Sequence, residues 1–274
     1  MSSFDAVLAK EKAREVRLYT MECIGNLGVG HVGGCLSIAE VLSVLYYGVM
    51  NVDPKNSKME GRDRLIVSKG HAGPAVYAVL ASKGYIPYEE LMTLNQIGTN
   101  LPSHCDMNKT NGVDMTTGSL GQGFSCAVGV ALGSQLKKDG ASIYAIIGDG
   151  ESQEGQIWEA AMFAAQKKLS NLIAFTDYNH MQIDGTVEEI NELSDLQKKW
   201  TSFGWNTYSI DGHDVQAIYD AVQSAKSQTE KPSMILLNTV KGKGVSYIEQ
   251  AGVGNHNMPV SAEQLELIRN ELKA

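Results

Sequence analysis

Disulfide frameworks, membrane spans and polyanion-binding surfaces all lack support in this sequence. Four cysteines occur among 274 residues, none in a CxxC pair, so we expect reduced thiols and a cytoplasmic location. No apolar run approaches the roughly 20 residues that span a bilayer, and the charged N-terminal stretch has no signal-peptide core. The net charge of −8 argues against nucleic acid and against anionic membranes as partners.

Linkers and repeats are also missing, and the chain is expected to form a single domain over residues 1–274. Nearly continuous apolar runs alternate with helical patterns, which predicts an α/β fold whose mostly parallel sheet carries helices on both faces. Strands are predicted near 65–68, 142–148, 172–177, 206–210 and 233–239. Helices are predicted at 5–27, at 37–50 with Ser37 as N-cap, within 65–84, at 119–138 and at 261–273, so that the chain ends in a loop and helix over 251–274.

Two of the predicted strands end in polar residues. The strand at 142–148 runs into Asp149 and Gly150, and the strand at 172–177 is followed by Asn179. A helix connects the two strands, so they are expected to lie parallel with their carboxyl ends at one edge of the sheet. One carboxylate and one amide oxygen suit Mg²⁺ or Ca²⁺, which take oxygen ligands and share the rest with phosphate.

This stretch and its surroundings resemble transketolase. GDG followed after about thirty residues by Asn is similar to the thiamine diphosphate motif, and further landmarks occur in the family's order. These are GHVGG (30–34), SKGHA (68–72), TTGSLGQG (116–123), GDGESQEG (148–155), DYNHMQIDG (177–185), DGHD (211–214) and KGKG (241–244). The resemblance covers essentially the whole chain and implies the diphosphate-binding domain of a thiamine diphosphate enzyme. A ketol transfer of the pentose phosphate pathway type, with sugar phosphates as substrates, is implied with it.

The resemblance also implies a cofactor site. A divalent metal (Mg²⁺, or Ca²⁺ or Mn²⁺) would be held by Asp149, Asn179 and the main-chain carbonyl of Met181. The cofactor itself would contact a set of loop and helix-start residues: His71, Gly118, Ser119, Leu120, Asp149, Gly150, Glu154, Asn179 and His256. Ser119 stands where the family usually has Pro, and main-chain contacts in this loop should tolerate the change.

The resemblance implies catalytic roles for five residues. These are His31, His71, His104 and His256, and Glu154 at a helix start. Neutral imidazoles give or take protons near pH 7, as addition to and cleavage of a ketose require. His256 precedes Asn257 where the family usually has Gly. Of the remaining histidines, His213 is expected to hold a loop through hydrogen bonds, and His180 to be solvated or packed near the metal loop. Asp177 is assigned no chemistry.

A separate partner chain is expected, because the strands that would form a second sheet are not found after the diphosphate-binding part. In the family, a second domain supplies a glutamate to the cofactor's pyrimidine, and the counterpart of Glu154 reaches towards it. We therefore expect the partner to be a C-terminal transketolase subunit that carries the pyrimidine-binding domain. An α₂β₂ heterotetramer is expected, because the family pairs its domains about a twofold axis.

Other interpretations stay open at this point. The chain can be a subunit of another thiamine diphosphate enzyme, similar to deoxyxylulose-phosphate synthase or to a 2-oxo acid dehydrogenase, or a non-catalytic partner subunit. The donor's tail can be a phosphate, a sulfonate or neither. A dinucleotide site is rejected, because GVGHVGG (28–34) follows a charged helical pattern and not the strand that such a fingerprint requires.

Overall fold

A computed structural model describes residues 4–273 of the chain. Residues 1–3 and Ala274, which belong to the predicted domain and to its C-terminal helix, lie outside the described part. The strands are β1 (Val29–Gly30), β2 (Arg64–Val67), β3 (Ile143–Gly148), β4 (Leu172–Tyr178), β5 (Asn206–Asp211), β6 (Ser233–Asn238) and β7 (Met258–Pro259).

Helices of very different length separate these strands. The α-helices are α1 (Ala6–Leu27), α2 (Gly33–Leu36), α3 (Ala39–Val44), α4 (Gly73–Lys83), α5 (Gln122–Lys137), α6 (Gly155–Gln166), α7 (Val187–Asn191), α8 (Leu196–Ser202), α9 (Val215–Lys226), α10 (Ser246–Gln250) and α11 (Ala262–Lys273). Short 3₁₀ turns cover Pro54–Asn56, Gly70–Ala72, Tyr88–Thr93, Gly150–Gln153 and Gly252–Asn255, and a π turn covers Leu45–Val49. Among the described helices, none has both the length and the apolar character needed to cross a bilayer.

The central sheet has the strand order β2-β3-β4-β6-β5 in the described residues. Every neighbouring pair in it is parallel. The two-residue strands β1 and β7 pair separately and antiparallel. Because all five strands of the central sheet run the same way, their carboxyl ends lie at one edge, as expected from the alternating apolar runs.

Alternate residues of β2, β3, β4 and β6 enter two different hydrophobic clusters. On β3, Tyr144 and Ile146 pack with the side chains of α1, α3, α4, α9 and α11. Ile143, Ala145 and Ile147 of the same strand pack with α5, α6 and α8 on the opposite face. Helices therefore cover both faces, which explains why these four strands are largely apolar and confirms the predicted α/β fold.

Two predicted helix starts differ from the structure. Ser37 does not cap a helix over 37–50, because its hydroxyl hydrogen-bonds the buried Asp177 carboxylate instead, at 2.7 Å. Helix α3 begins at Ala39 and gives way to a π turn after Val44. The helix predicted from 119 begins at Gln122, because Gly121 adopts a left-handed backbone with φ of 83°. The glycine thus lets the chain turn sharply before α5 begins.

Candidate active site

A cavity of about 440 Å³ opens at the carboxyl edge of the sheet. Ligands bind at this edge in open α/β folds. Of the residues singled out from the sequence, the following line it: His31, His71, His104, Gly118, Leu120, Asp149, Gly150, Glu154, Asn179, Met181 and His256. Ser119 is exposed and is not among the lining residues, so its predicted cofactor contact stays a prediction.

The two strand-end residues come together as expected. Gly148 of β3 lies in register with Asp177 of β4, so Asp149 and Asn179 follow adjacent parallel strands. The Asp149 carboxylate accepts the backbone N–H groups of Gly150 and His180 at 2.7 and 2.6 Å. Burial, and the nearby Asp177, raise the pKa of Asp149 to about 6. Because the raised pKa means that burial disfavours the charged form, a nearby cation would stabilise this carboxylate.

Asp177 is the centre of a buried network that sequence reasoning missed. Its carboxylate accepts hydrogen bonds from Lys69 (2.6 Å), Ser37 (2.7 Å), Asn179 (2.9 Å) and Thr239 (2.5 Å). Burial alone would raise the pKa of Asp177, but Lys69 and these hydrogen bonds hold it below its ordinary value. The network fixes the amide of Asn179, whose Oδ1 accepts the Met181 N–H at 3.1 Å.

Glu151 organises the glycine loop in the same way. Its carboxylate accepts the N–H of Gly121 at 2.7 Å and that of Gly148 at 3.0 Å, and it also accepts the Ser68 hydroxyl. The Ser68 oxygen in turn accepts the Phe124 N–H in the first turn of α5 at 2.9 Å. One buried carboxylate therefore ties the start of α5 to the ends of β2 and β3, leaving Gly118 and Leu120 at the cavity wall.

Four histidine rings meet across the cavity. The His31 ring lies 5.5 Å from that of His71, 5.8 Å from that of His104 and 5.3 Å from that of His256, centroid to centroid. The rings of His71 and His256 are 5.1 Å apart. Among residues 4–273, the only ring hydrogen bond in this group joins His256 to Lys241, so the other three imidazoles are free to contact a ligand.

Burial keeps all four imidazoles neutral at pH 7. It is the main cause that lowers the pKa of His31, His104 and, most strongly, His71, with Lys69 as a further cause at His71. For His256, burial and Lys241 bring the pKa down to about 4. Neutral rings can donate at one nitrogen and accept at the other, which suits substrate hydroxyls and proton transfer.

A buried ammonium at Lys241 also faces the cavity, and sequence reasoning missed it as well. Its Nζ donates to the carbonyls of Met181 and Gln182 at 3.2 and 3.4 Å and lies 3.3 Å from His256 Nδ1. Burial lowers the pKa of Lys241 to about 8, although Asp149 acts to raise it. No carboxylate in the described residues forms an ion pair with it, and an anionic ligand would supply that charge.

These donors fit a diphosphate with a divalent cation. No three His, Cys, Asp or Glu side chains in the described chain are arranged to hold a metal, but the predicted ligand set is of another kind. It combines the Asp149 carboxylate, the Asn179 amide oxygen and the Met181 carbonyl, all of them hard oxygen donors suited to Mg²⁺ or Ca²⁺. The Met181 carbonyl already accepts a hydrogen bond from the Lys241 ammonium.

Three other predicted residues lie where the sequence suggested. Glu154 is exposed at the cavity rim and precedes α6, with no side-chain hydrogen bond that caps the helix. The His213 ring binds Glu40 and the Val240 N–H and so holds a loop. The half-exposed His180 ring pairs with Glu188 and packs at a tilt against the Tyr178 ring, with the ring centroids 4.1 Å apart. Gly28, in the rejected dinucleotide pattern, ends helix α1 and follows no strand.

Comparison with known proteins assigns the chain to a family. Residues 8–273 match the family model for the transketolase thiamine diphosphate binding domain. The 6-deoxy-6-sulfo-D-fructose transketolase subunit SqwG of Clostridium sp. (strain MSTE9) is 58% identical over 96% of this chain and 96% of that protein. An apulose-4-phosphate transketolase subunit of Phocaeicola vulgatus is 38% identical over 96% of this chain and 92% of that protein.

A solved structure agrees as well. Transketolase from Campylobacter jejuni superimposes with a TM-score of 0.91 and 31% sequence identity, covering 98% of this chain and 43% of that one. The present chain thus spans less than half the length of that solved enzyme. With the family model, the relatives and the solved structure taken together, the chain belongs to the transketolase family and contains the family's thiamine diphosphate-binding domain.

Proposed function

We propose that this chain binds the diphosphate of thiamine diphosphate through a divalent metal and, with a partner subunit, transfers a two-carbon ketol unit from a ketose to an aldose. The observation that carries the proposal is the cavity at the carboxyl edge, where buried Asp149 and Lys241 face four neutral imidazoles. The cofactor, when bound, supplies the electron sink that lets the bond beside the ketose carbonyl break.

The metal and diphosphate would occupy the sheet side of this cavity. Asp149, Asn179 and the Met181 carbonyl would hold Mg²⁺, or Ca²⁺ or Mn²⁺ in its place. The Lys241 ammonium would balance diphosphate charge, because it is buried and has no carboxylate partner among residues 4–273. Main-chain groups of the glycine loop at 118–120 and of Gly150 would contact the cofactor at close range, as would His71 and His256.

Substrate contacts would fall to the histidines. We assign His31 and His104 to the donor hydroxyls and to proton transfer, since neither ring forms a hydrogen bond within the described chain and both stay neutral at pH 7. His71 and His256, closer to the lysines, would orient the reacting end of the donor. Glu154 would face the partner subunit, which is supported by its exposure at the rim of the cavity.

The partner would be a C-terminal transketolase subunit that carries the pyrimidine-binding domain. Support comes from the names of the 58% and 38% identical relatives, which are themselves called subunits and match this chain over nearly their whole length. We propose an α₂β₂ heterotetramer, with this chain contributing one diphosphate-binding domain per site. The free thiols of all four cysteines are consistent with a reducing cytoplasm.

The donor would be a ketose with an anionic tail. One relative is named for a sulfonated ketose and the other for a phosphorylated one, and the 58% identical relative makes the sulfonated sugar the first to assay. A role in sugar interconversion of the pentose phosphate type follows from the same chemistry.

A donor assay with the assembled enzyme, meaning this chain with its partner subunit, tests the function. The donors are 6-deoxy-6-sulfo-D-fructose, D-fructose 6-phosphate and pyruvate, each offered with D-glyceraldehyde 3-phosphate, and the products are identified by mass spectrometry. With at least one sugar donor, we expect the aldose acceptor to be lengthened by two carbons into a ketose and the donor to be shortened by two carbons to an aldose; pyruvate should give no product. Deoxyxylulose phosphate formed from pyruvate would assign the chain to another thiamine diphosphate enzyme, and no product from any donor would favour a non-catalytic subunit.

A further inference from the structure

The backbone around Lys241 is held at several consecutive residues. The Thr239 hydroxyl donates to Asp177 at 2.5 Å, and the Val240 N–H donates to His213 Nε2 at 2.8 Å. The Lys241 carbonyl accepts from the Asn255 amide at 2.9 Å. Such fixation matters because a lysine side chain is long and flexible and is aimed reliably only when its backbone is fixed.

His213 lies outside the cavity lining, and the two hydrogen bonds of its ring define which ring nitrogen carries the proton. Nδ1 lies 3.1 Å from the Glu40 carboxylate, whose pKa the His213 and Arg17 contacts hold below its ordinary value although burial acts to raise it. A carboxylate can only accept, so Nδ1 carries a proton. Nε2 accepts the Val240 N–H and therefore carries none. The ring is fixed as the neutral Nδ1–H tautomer.

Glu40 holds the KGKG loop (241–244) from two sides. Its Oε2 accepts a hydrogen bond from the His213 ring, which in turn accepts the Val240 N–H just before the loop. The same oxygen accepts a hydrogen bond from Arg17 Nη2 at 2.6 Å, while Arg17 Nε donates to the Lys243 carbonyl at 2.8 Å. One buried carboxylate thus connects α1 and α3 to both ends of the loop that presents Lys241.

We propose that His213 is a positioning residue for the cofactor site: its Nδ1–H tautomer, set by Glu40, fixes Val240 and so aims the Lys241 ammonium at the diphosphate. The inference rests on the proposed function, because it takes the diphosphate as the anion that Lys241 meets. His213 touches neither substrate nor cofactor in this scheme and acts through the loop alone.

A double-mutant cycle tests the connection between the two residues. The dissociation constant of thiamine diphosphate is measured by calorimetry, with Mg²⁺, in the assembled enzyme and in His213→Ala, Lys241→Met and the double variant. We expect His213→Ala to weaken thiamine diphosphate binding about 10-fold, an effect typical of removing a residue that positions a ligand-binding group. In the Lys241→Met background the same change should have less than about a 2-fold effect, because the group it positions is gone.

A conservative variant and a spectroscopic measurement still test the inference if His213→Ala folds poorly. His213→Gln can donate to Glu40 and accept from Val240, so it should restore most of the affinity. Nitrogen-15 NMR of ring-labelled histidines in the full chain, assigned by the loss of one signal in His213→Gln, should show Nδ1 protonated and Nε2 bare.

The outcomes separate this inference from the proposed function. An effect of His213→Ala that persists undiminished in Lys241→Met, an affinity that His213→Ala leaves unchanged, or an Nε2–H tautomer would each overturn the positioning role alone. An unaltered enzyme that binds no thiamine diphosphate would overturn the proposed function and this inference together.

Discussion

Asp149→Ala is expected to lower the affinity for thiamine diphosphate by about 100-fold or more. Loss of a residue that hydrogen-bonds a metal ligand typically lowers metal affinity about 10- to 100-fold. Asp149 is proposed as a metal ligand itself, and as the one charged ligand of the three. Asp149 is 2% exposed and lies near the buried Asp177. Without it, metal and diphosphate would meet only neutral oxygen donors at this strand end.

Asp149→Asn provides the matched control for size. It keeps one acceptor oxygen and removes the charge, so cofactor affinity should fall nearly as far as in the alanine variant. Calorimetry of the assembled enzyme with Mg²⁺ measures both, and thermal melting without cofactor shows whether the variants fold. Unchanged affinity in folded Asp149→Ala would remove this strand end from the cofactor site.

Turnover should fall by about 10²- to 10⁴-fold when His104 is replaced by alanine, the range typical of a group that transfers a proton. The His104 ring packs beside the glycine loop, so that a Cβ added at Gly118 would lie 3.4 Å from its Cδ2. It forms no hydrogen bond within residues 4–273, and burial lowers its pKa, which leaves a neutral ring facing the cavity. His31→Ala should behave in the same way, since its ring is 5.8 Å away.

Stability and binding measurements on the same variants distinguish chemistry from packing. Because neither ring has a protein partner in the described chain, the melting temperature and the cofactor dissociation constant should stay close to those of the unaltered enzyme. A melting temperature that collapses while turnover per folded molecule holds would make these two residues parts of the core.

The sheet and the strand-end site could be predicted from local patterns. Uninterrupted apolar runs such as 142–148 require burial on both faces, and a single crossover helix forces the two strand ends together. Asp149 and Asn179 therefore followed from short stretches of sequence. The histidines came from the family resemblance, because no local rule distinguishes a ligand-facing imidazole from a structural one.

Long-range partners could not be predicted. A lysine is normally solvated, so nothing in SKGHA indicates that Lys69 is buried against Asp177, 108 positions away. Lys241 meets the cavity from a loop whose contacts reach residues as distant as Glu40, through His213 and Arg17. Ser37 illustrates the same point, since a hydroxyl that suits a helix start locally donates instead to a buried carboxylate on β4.

Ketol transfer by separated and mixed subunits tests most directly the claim that this chain supplies the diphosphate half of a two-chain site. This chain, its partner subunit and an equimolar mixture are assayed with thiamine diphosphate, Mg²⁺ and a ketose donor that the assembled enzyme accepts. Neither chain by itself should transfer a ketol unit, and activity should appear on mixing. Ketol transfer by this chain alone, shown by mass spectrometry to be free of co-purifying protein, would contradict the claim.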